Sequence, residues 1–299
     1  MRSSNSPSIF TQFKVGKSSA AFDTEVDFPY SAEHRGSSET QMKHAKMVDR
    51  RVLSMSEKIS RRLAAEGALS VVLAGSWVRG DAHEGSDIDL WTVGRKSTYH
   101  LERVGGFLVA VSQRTMSQFS NEFRDPTRVA GAVPGWRQAL ILFDPHGLAK
   151  QLKREADSWT WDSIARKCDR WVAEQVTGYA EEVCKLVGNL RLRRYWAAAV
   201  QRSLVAIRMA PILAVHSHIL YGSENRLWDL VRDSMGREWK NLQAQVFGEG
   251  RVAFAESCKA ALGLYAIAAR SVLPLCSKQQ TAVVEYACEL SALYLDEAR

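Results

Sequence analysis

Long uninterrupted apolar runs are missing from this 299-residue chain. The best candidate, residues 197–215, is broken by Gln201, Arg202, Arg208 and Pro211, short of the roughly 18 clean residues a membrane span needs. No transmembrane segment is therefore expected. The N-terminus "MRSSNSPSIFTQFKVGK" lacks the charged start, apolar stretch and cleavage site of a secretory signal, so a cytoplasmic location is expected. The five cysteines, Cys168, Cys184, Cys258, Cys276 and Cys288, form no C-x-x-C pair, which argues for reduced thiols over a disulfide framework or a zinc site. No internal repeat with a period of about 20–50 residues is present, which excludes solenoid and propeller architectures. Nor is there an extended basic stripe interleaved with aromatics. The net charge of +7 is spread among many acids. "RLRR" at 191–194 reads as a solvated helix face, so a nucleic-acid partner is not expected.

What is present divides the chain into three parts. Residues 1–40 are rich in Ser, Gly and charge and read as a mobile tail or irregular wrap. From Gln41 to about Glu66, Val48, Val52, Met55, Ile59 and Leu63 recur at helical steps. Strands follow at 70–74, 86–93, 99–104, 107–111 and within 139–147, the third and fourth joined through Gly105-Gly106. Beyond Lys150 the alternation stops and helical stripes run to the C-terminus, over about 164–190, from Tyr195 with a bend or restart at Pro211, and over 224–247, 251–273 and 278–297. The expected class is α+β, with a sheet domain flanked by helices over 41–150 and an all-α helical bundle over 151–299.

The segment "GSWVRGDAHEGSDIDLWTV" (75–93) carries the chemistry. In a strand, Asp87 and Asp89 point to one face while Ile88 and Leu90 point to the other. Two adjacent carboxylates in apolar surroundings resist ionisation unless a cation joins them, and Mg²⁺ is the natural one. Upstream, Gly75-Ser76 stands where a strand gives way to a helix, so backbone N–H groups and the Ser76 hydroxyl can meet a phosphate. Ser76 can equally be a plain helix N-cap. Arg79 can reach a phosphate oxygen or pair with Asp81. Asp81 and Ser86 are supporting candidates.

Strand, Gly-Ser, short helix, then strand with Asp-x-Asp resembles the core signature of the polymerase-β nucleotidyltransferase superfamily, and Gly-Ser, Arg-Gly-Asp and Ser-Asp-Ile-Asp-Leu resemble its minimal and kanamycin-type small-molecule members. The resemblance is concentrated in about residues 70–112. It implies a small mixed β-sheet and a nucleoside triphosphate, ATP first, held over Gly75, Ser76, Arg79 and Ser86. It further implies two Mg²⁺ ions on Asp87 and Asp89, and transfer of a nucleoside monophosphate to a hydroxyl of a small-molecule acceptor, aminoglycoside-like among others.

Many relatives carry a third carboxylate on a neighbouring strand. Here the corresponding strand, "GGFLVAVSQRT", has no acid, and alternation puts Ala110 in that place. Glu102 on the preceding hairpin strand is the nearest substitute. The resemblance also allows a catalytic base from the helical part, where Glu174, Glu181 and Glu182 are the candidates and Glu181 is the residue chosen. The alternatives are a catalytically weakened nucleotide-binding protein and an antitoxin-type enzyme that modifies a protein partner. A homodimer with a base shared across subunits is compatible with the resemblance. Residues 151–299 hold 20 Lys/Arg against 17 Asp/Glu by direct count, so composition lends a cationic acceptor no support.

Overall fold

The computed structural model describes residues 48–297, all within one compact unit. The expectation for residues 1–40, and for a helix beginning at Gln41, falls on residues outside the described ones. Helix α1 (Arg50–Ala65) instead opens behind Asp49, whose carboxylate accepts from the N–H groups of Arg51 and Val52.

Five strands follow: β1 (Ser70–Ala74), β2 (Ile88–Val93), β3 (Thr98–Val104), β4 (Phe107–Arg114) and β5 (Leu140–Phe143). They form one mixed sheet in the order β3-β4-β2-β1-β5, with β2 and β4 parallel and the other neighbours antiparallel. The single turn α2 (Ser76–Arg79) lies between β1 and β2. After the sheet's fourth strand come α3 (Met116–Glu122) and α4 (Val129–Gln138), for which the sequence reading made no provision, and α5 (Leu148–Ser158) follows β5. The long helices are α6 (Ala165–Arg191), α7 (Tyr195–His216), α8 (Glu224–Phe247), α9 (Phe254–Val272) and α10 (Lys278–Glu297).

Alternation sorts the sheet's side chains onto two cores. Val71, Leu73, Ile88, Leu90, Val109 and Val111 pack on Val52, Ile59 and Leu63 of α1. Val72 and Val93 face the other way and join Trp136, Leu152 and the helices of the second half in a continuous core. Burial of this kind, worth about 1.5–3 kcal/mol for each large side chain, is what holds the short strands flat between two layers.

Three local expectations need correction. Helix α7 runs unbroken through Pro211, which lies towards the solvent side, where the Ile207 carbonyl that proline cannot serve can be hydrated. The RLRR cluster is a turn, not a helix face: α6 ends at Arg191, Arg193 takes a left-handed φ of 56°, and Arg194 caps α7. Helix α8 is interrupted at Gly236 (φ 81°, ψ −166°). Helix α7 and the 254–275 segment reach the length and hydropathy of membrane spans, and about half of each such stretch is buried in the protein.

One buried charge ties α4 to α5. The Lys153 ammonium donates to the carbonyls of Trp136 (3.0 Å), Arg137 (2.7 Å) and Ala139 (2.8 Å), using its three protons at the helix end where carbonyls lack partners. Burial pushes its pKa down to about 8, against the pull of Asp157, which leaves it mostly charged at neutral pH. Lys153→Met should therefore strand three buried carbonyls and lower the unfolding free energy by about 2–4 kcal/mol. Urea unfolding checks this, and an unchanged midpoint would show that water serves these carbonyls instead.

Candidate functional site

Strand β1 ends at Ala74, paired with Asp89 of β2, and Gly75 turns the chain at φ 77° and ψ −160°. A Cβ placed on Gly75 would lie 2.0 Å from Asp89 Oδ2 and 2.9 Å from its Cγ. Only glycine lets the turn pass directly beneath that carboxylate. Helix α2 then makes one turn and stops at Gly80, φ 83°. Gly75 occupies the N-cap position, so Ser76 is the first helical residue and not the cap. A helix this short has little macrodipole; the attraction for an anion rests on the N–H groups that open it and on Arg79 nearby.

Asp87 immediately precedes β2, and Asp89 lies two residues on, half-buried on the same side. Burial, reinforced by the negative charge of Asp87 and opposed by Arg79, raises the Asp89 pKa to about 6. A carboxylate pair so placed has a deficit of positive charge that a divalent cation would fill. Among the described residues no group of three or more His, Cys, Asp or Glu is placed to hold a metal ion. Two carboxylates still suit Mg²⁺, which takes one or two from a protein and completes its shell with phosphate oxygens and water. The donor set therefore fits the ion together with a phosphate ligand.

The neighbouring positions are decided by strand register. Ala110 of β4 pairs with Asp89, so it occupies the place the resemblance gives to a third carboxylate. Glu102 pairs with Val109 and thus projects to the opposite face, where it binds Arg62 of α1. It cannot stand in. Arg79 has its own partners: its Nε donates to Asp81 Oδ2 at 3.1 Å, and its Nη1 to the Gly222 carbonyl at 3.3 Å. It ties α2 to the segment that leads into α8. The Ser86 hydroxyl accepts from the His83 N–H at 2.9 Å and closes the turn before Asp87.

Gly75, Ser76, Arg79, Ser86, Asp87 and Asp89 all line one cleft of about 1000 Å³. Glu181 does not. It is 72% exposed on α6, paired with Lys185 at 2.8 Å. Glu182 binds Lys185 and Gln201, Glu174 faces solvent, and neither lines the cleft.

The opposite wall holds residues that sequence reasoning passed over: Arg128, Glu224 and Arg226. Ser223 and Glu224 carry a readable N-cap signal, since the Ser223 hydroxyl accepts from the Asn225 N–H. That they face Asp87 and Asp89 across a cleft is a tertiary matter. The N–H groups of Tyr221 and Gly222 both donate to the Ala130 carbonyl, at 3.0 and 3.3 Å, which pins the start of α8 to α4.

Trp91, two residues beyond Asp89, floors the cleft and packs on Trp136 (5.6 Å between rings) and Phe119 (6.4 Å). Gly135 passes so close that a Cβ there would lie 2.5 Å from the Trp91 ring. Past Trp91 the cleft adjoins a chamber of about 270 Å³ lined by Ser112, Arg114, Glu122, Arg128, Tyr221 and Glu224. Glu122 is paired there with Arg114, and burial raises its pKa above the ordinary carboxylate value.

Fold and site together define an α+β protein with two carboxylates standing over a Gly-Ser turn at the wall of a large cleft. Residues 56–176 match the family model of the nucleotidyltransferase domain, and nucleotidyl transfer is the activity class that goes with it. Comparison with curated proteins finds no match. Among solved structures, a nucleotidyltransferase-like protein from Exiguobacterium sibiricum 255-15 is similar at 13% identity and a TM-score of 0.46, over 81% of this chain and 79% of that one.

Proposed function

We propose that this chain transfers a nucleoside monophosphate from a nucleoside triphosphate, ATP first, to a hydroxyl of a small-molecule acceptor. Gly75 and Ser76 hold the phosphates, Asp87 and Asp89 hold Mg²⁺, and Arg79 adds positive potential while keeping α2 in place. A Mg²⁺ ion held by these two carboxylates would supply charge neutralisation for the phosphates. The observation that carries this reading is the close approach of the Gly75 backbone to the Asp89 carboxylate, which sets the Gly-Ser turn directly beside the carboxylate pair.

The acceptor enters from the Arg128–Arg226 wall and extends towards the chamber beyond Trp91. Glu224 lines both spaces and takes the proton-accepting role that sequence reading assigned to Glu181. Arg114, Arg128 and Arg226 offset Glu122 and Glu224 there, which favours a neutral or mixed-charge acceptor over a polycation such as an aminoglycoside. A second reading, a nucleotide-binding protein with weakened catalysis, is favoured by Ala110 beside Asp89.

Calorimetric titration with nucleoside triphosphates, with and without Mg²⁺, tests the donor site. The wild type should bind in a Mg²⁺-dependent manner, Asp87→Ala/Asp89→Ala should weaken this by about 100-fold or more, and Glu224→Gln should leave it intact. Absence of binding by the wild type would overturn the assignment.

A further inference from the structure

The face of α7 turned away from the core is apolar along its length. Leu192 at its entry, then Trp196, Val200, Leu204 and Ile207, are 63, 90, 56, 42 and 50% exposed. Leu192 stands in the turn before the helix; on the helix itself Trp196, Val200, Leu204 and Ile207 recur with Ala199, Ser203 and Pro211 at steps of three and four residues, so they form one stripe on one side. The charged and amide side chains of α7 are held off this stripe. Arg208 donates to the Tyr179 hydroxyl and Gln201 to Glu182, both on α6. Arg202 turns the other way, donating to Ser257 and lying over the Phe254 ring of α9. The stripe is thereby bounded by α6 on one flank and α9 on the other, with no charge of its own.

We propose that this stripe packs against the same stripe of a second copy of the chain, antiparallel, around a two-fold axis passing between Val200 and Ser203. The sequence of the face is self-complementary in that sense and in no need of another partner. Run antiparallel about that point, Trp196 of one copy lies over Ile207 of the other, Ala199 opposite Leu204, and Val200 opposite Ser203. Small residues thus meet large ones at the centre, as close helix pairs require. A two-fold axis also repeats each contact, the commonest form of soluble oligomer.

The area agrees. The four exposed side chains on the helix offer on the order of 500 Å² per copy, so a symmetric pair buries on the order of 1,000 Å², the size at which specific interfaces begin. A contiguous apolar patch of that size lies in the upper part of the range, about 300–600 Å², in which the largest patch of a protein commonly marks a functional surface. Charge agrees too, because the flanking arginines are occupied within their own copy and are not forced to face each other across the axis.

Sedimentation velocity on the full chain, over about 1–50 µM, tests the proposal. The wild type should sediment as a dimer of twice 33.4 kDa. Leu204→Glu and Trp196→Glu, both at the exposed stripe, should sediment as monomers with unchanged circular dichroism, their unfolding midpoints losing the concentration dependence that association gives the wild type. Tyr286→Glu, on the exposed face of α10, should remain dimeric. A monomeric wild type, a dimer that survives both stripe variants, or one that dissociates only with Tyr286→Glu would overturn it. So would a monomer that floats with vesicles of phosphatidylcholine and phosphatidylglycerol, which would assign the stripe to a membrane surface.

Discussion

Gly75→Ala is expected to abolish Mg²⁺-dependent nucleoside triphosphate binding, raising the dissociation constant by about 100-fold or more. The added Cβ would lie 2.0 Å from Asp89 Oδ2, well inside any van der Waals contact, and the position's φ of 77° already disfavours an L side chain. The carboxylate would have to swing away, or the turn open, and either movement separates the turn proposed to seat the phosphates from the carboxylate proposed to hold the metal. Backbone strain should also lower stability by about 1–3 kcal/mol. Gly67→Ala separates the two effects. Gly67 has a φ of 101° with nothing near its Cβ position, so it carries the strain without the collision. Its alanine variant should lose stability and keep nucleotide affinity, measured by thermal unfolding and calorimetry. Equal loss of affinity in both variants would show that strain, and not the Asp89 contact, governs the site.

Ala110→Asp should act in the opposite direction. Ala110 is buried, pairs with Asp89 across parallel strands and shares its face, so an aspartate there would bring a third carboxylate to the pair. Without metal the change is costly, because burial and the charge of Asp87 already hold Asp89 at a pKa of about 6. The unfolding midpoint of the metal-free variant should fall. With Mg²⁺ and nucleotide the third ligand should restore it, and pyrophosphate release should rise by about 100-fold if only that ligand limits turnover. An unchanged rate alongside tighter Mg²⁺ binding would mean that the base, not the metal site, is what the protein lacks. If neither changes, the idea that Ala110 marks a missing ligand is lost.

Much of the wall that carries the Gly-Ser turn and the two aspartates was legible in the sequence because its determinants are local. Gly75, Ser76, Asp87 and Asp89 lie within fifteen residues of one another in the chain, and strand alternation alone puts the two aspartates on one side. The five strands and the hairpin through Gly105-Gly106 were readable for the same reason, since period-two patterning and turn residues act over a few positions. The helices α3 and α4 were not. Their sequences, "MSQFSNE" and "VAGAVPGWRQ", are short, and the second contains Pro134 and two glycines that argue against a helix until Trp136 and Val133 are seen to be buried against the sheet.

The opposite wall of the cleft shows the limit most clearly. Glu174, Glu181 and Glu182 were candidates because the resemblance allows a base from the helical part and its first long helix offers these acids, Glu181 being the one chosen, yet a helical acid's spacing says nothing about which cleft it meets. Arg128 and Glu224, nearly a hundred positions apart in sequence, meet at one wall because Ala130 accepts from Tyr221 and Gly222 and because Arg79 reaches the Gly222 carbonyl. Likewise the apolar stripe of α7 reads in sequence as core, and only the packing of α6 and α9 on its other sides leaves it open. Local spacing by itself determined the turn, the strands and the carboxylate pair, since those depend on torsions and alternation within a few residues. Register, the opposing wall and the exposed helix face were decided by tertiary structure alone, because hydrogen bonds and burial between distant segments have no fixed spacing along the chain.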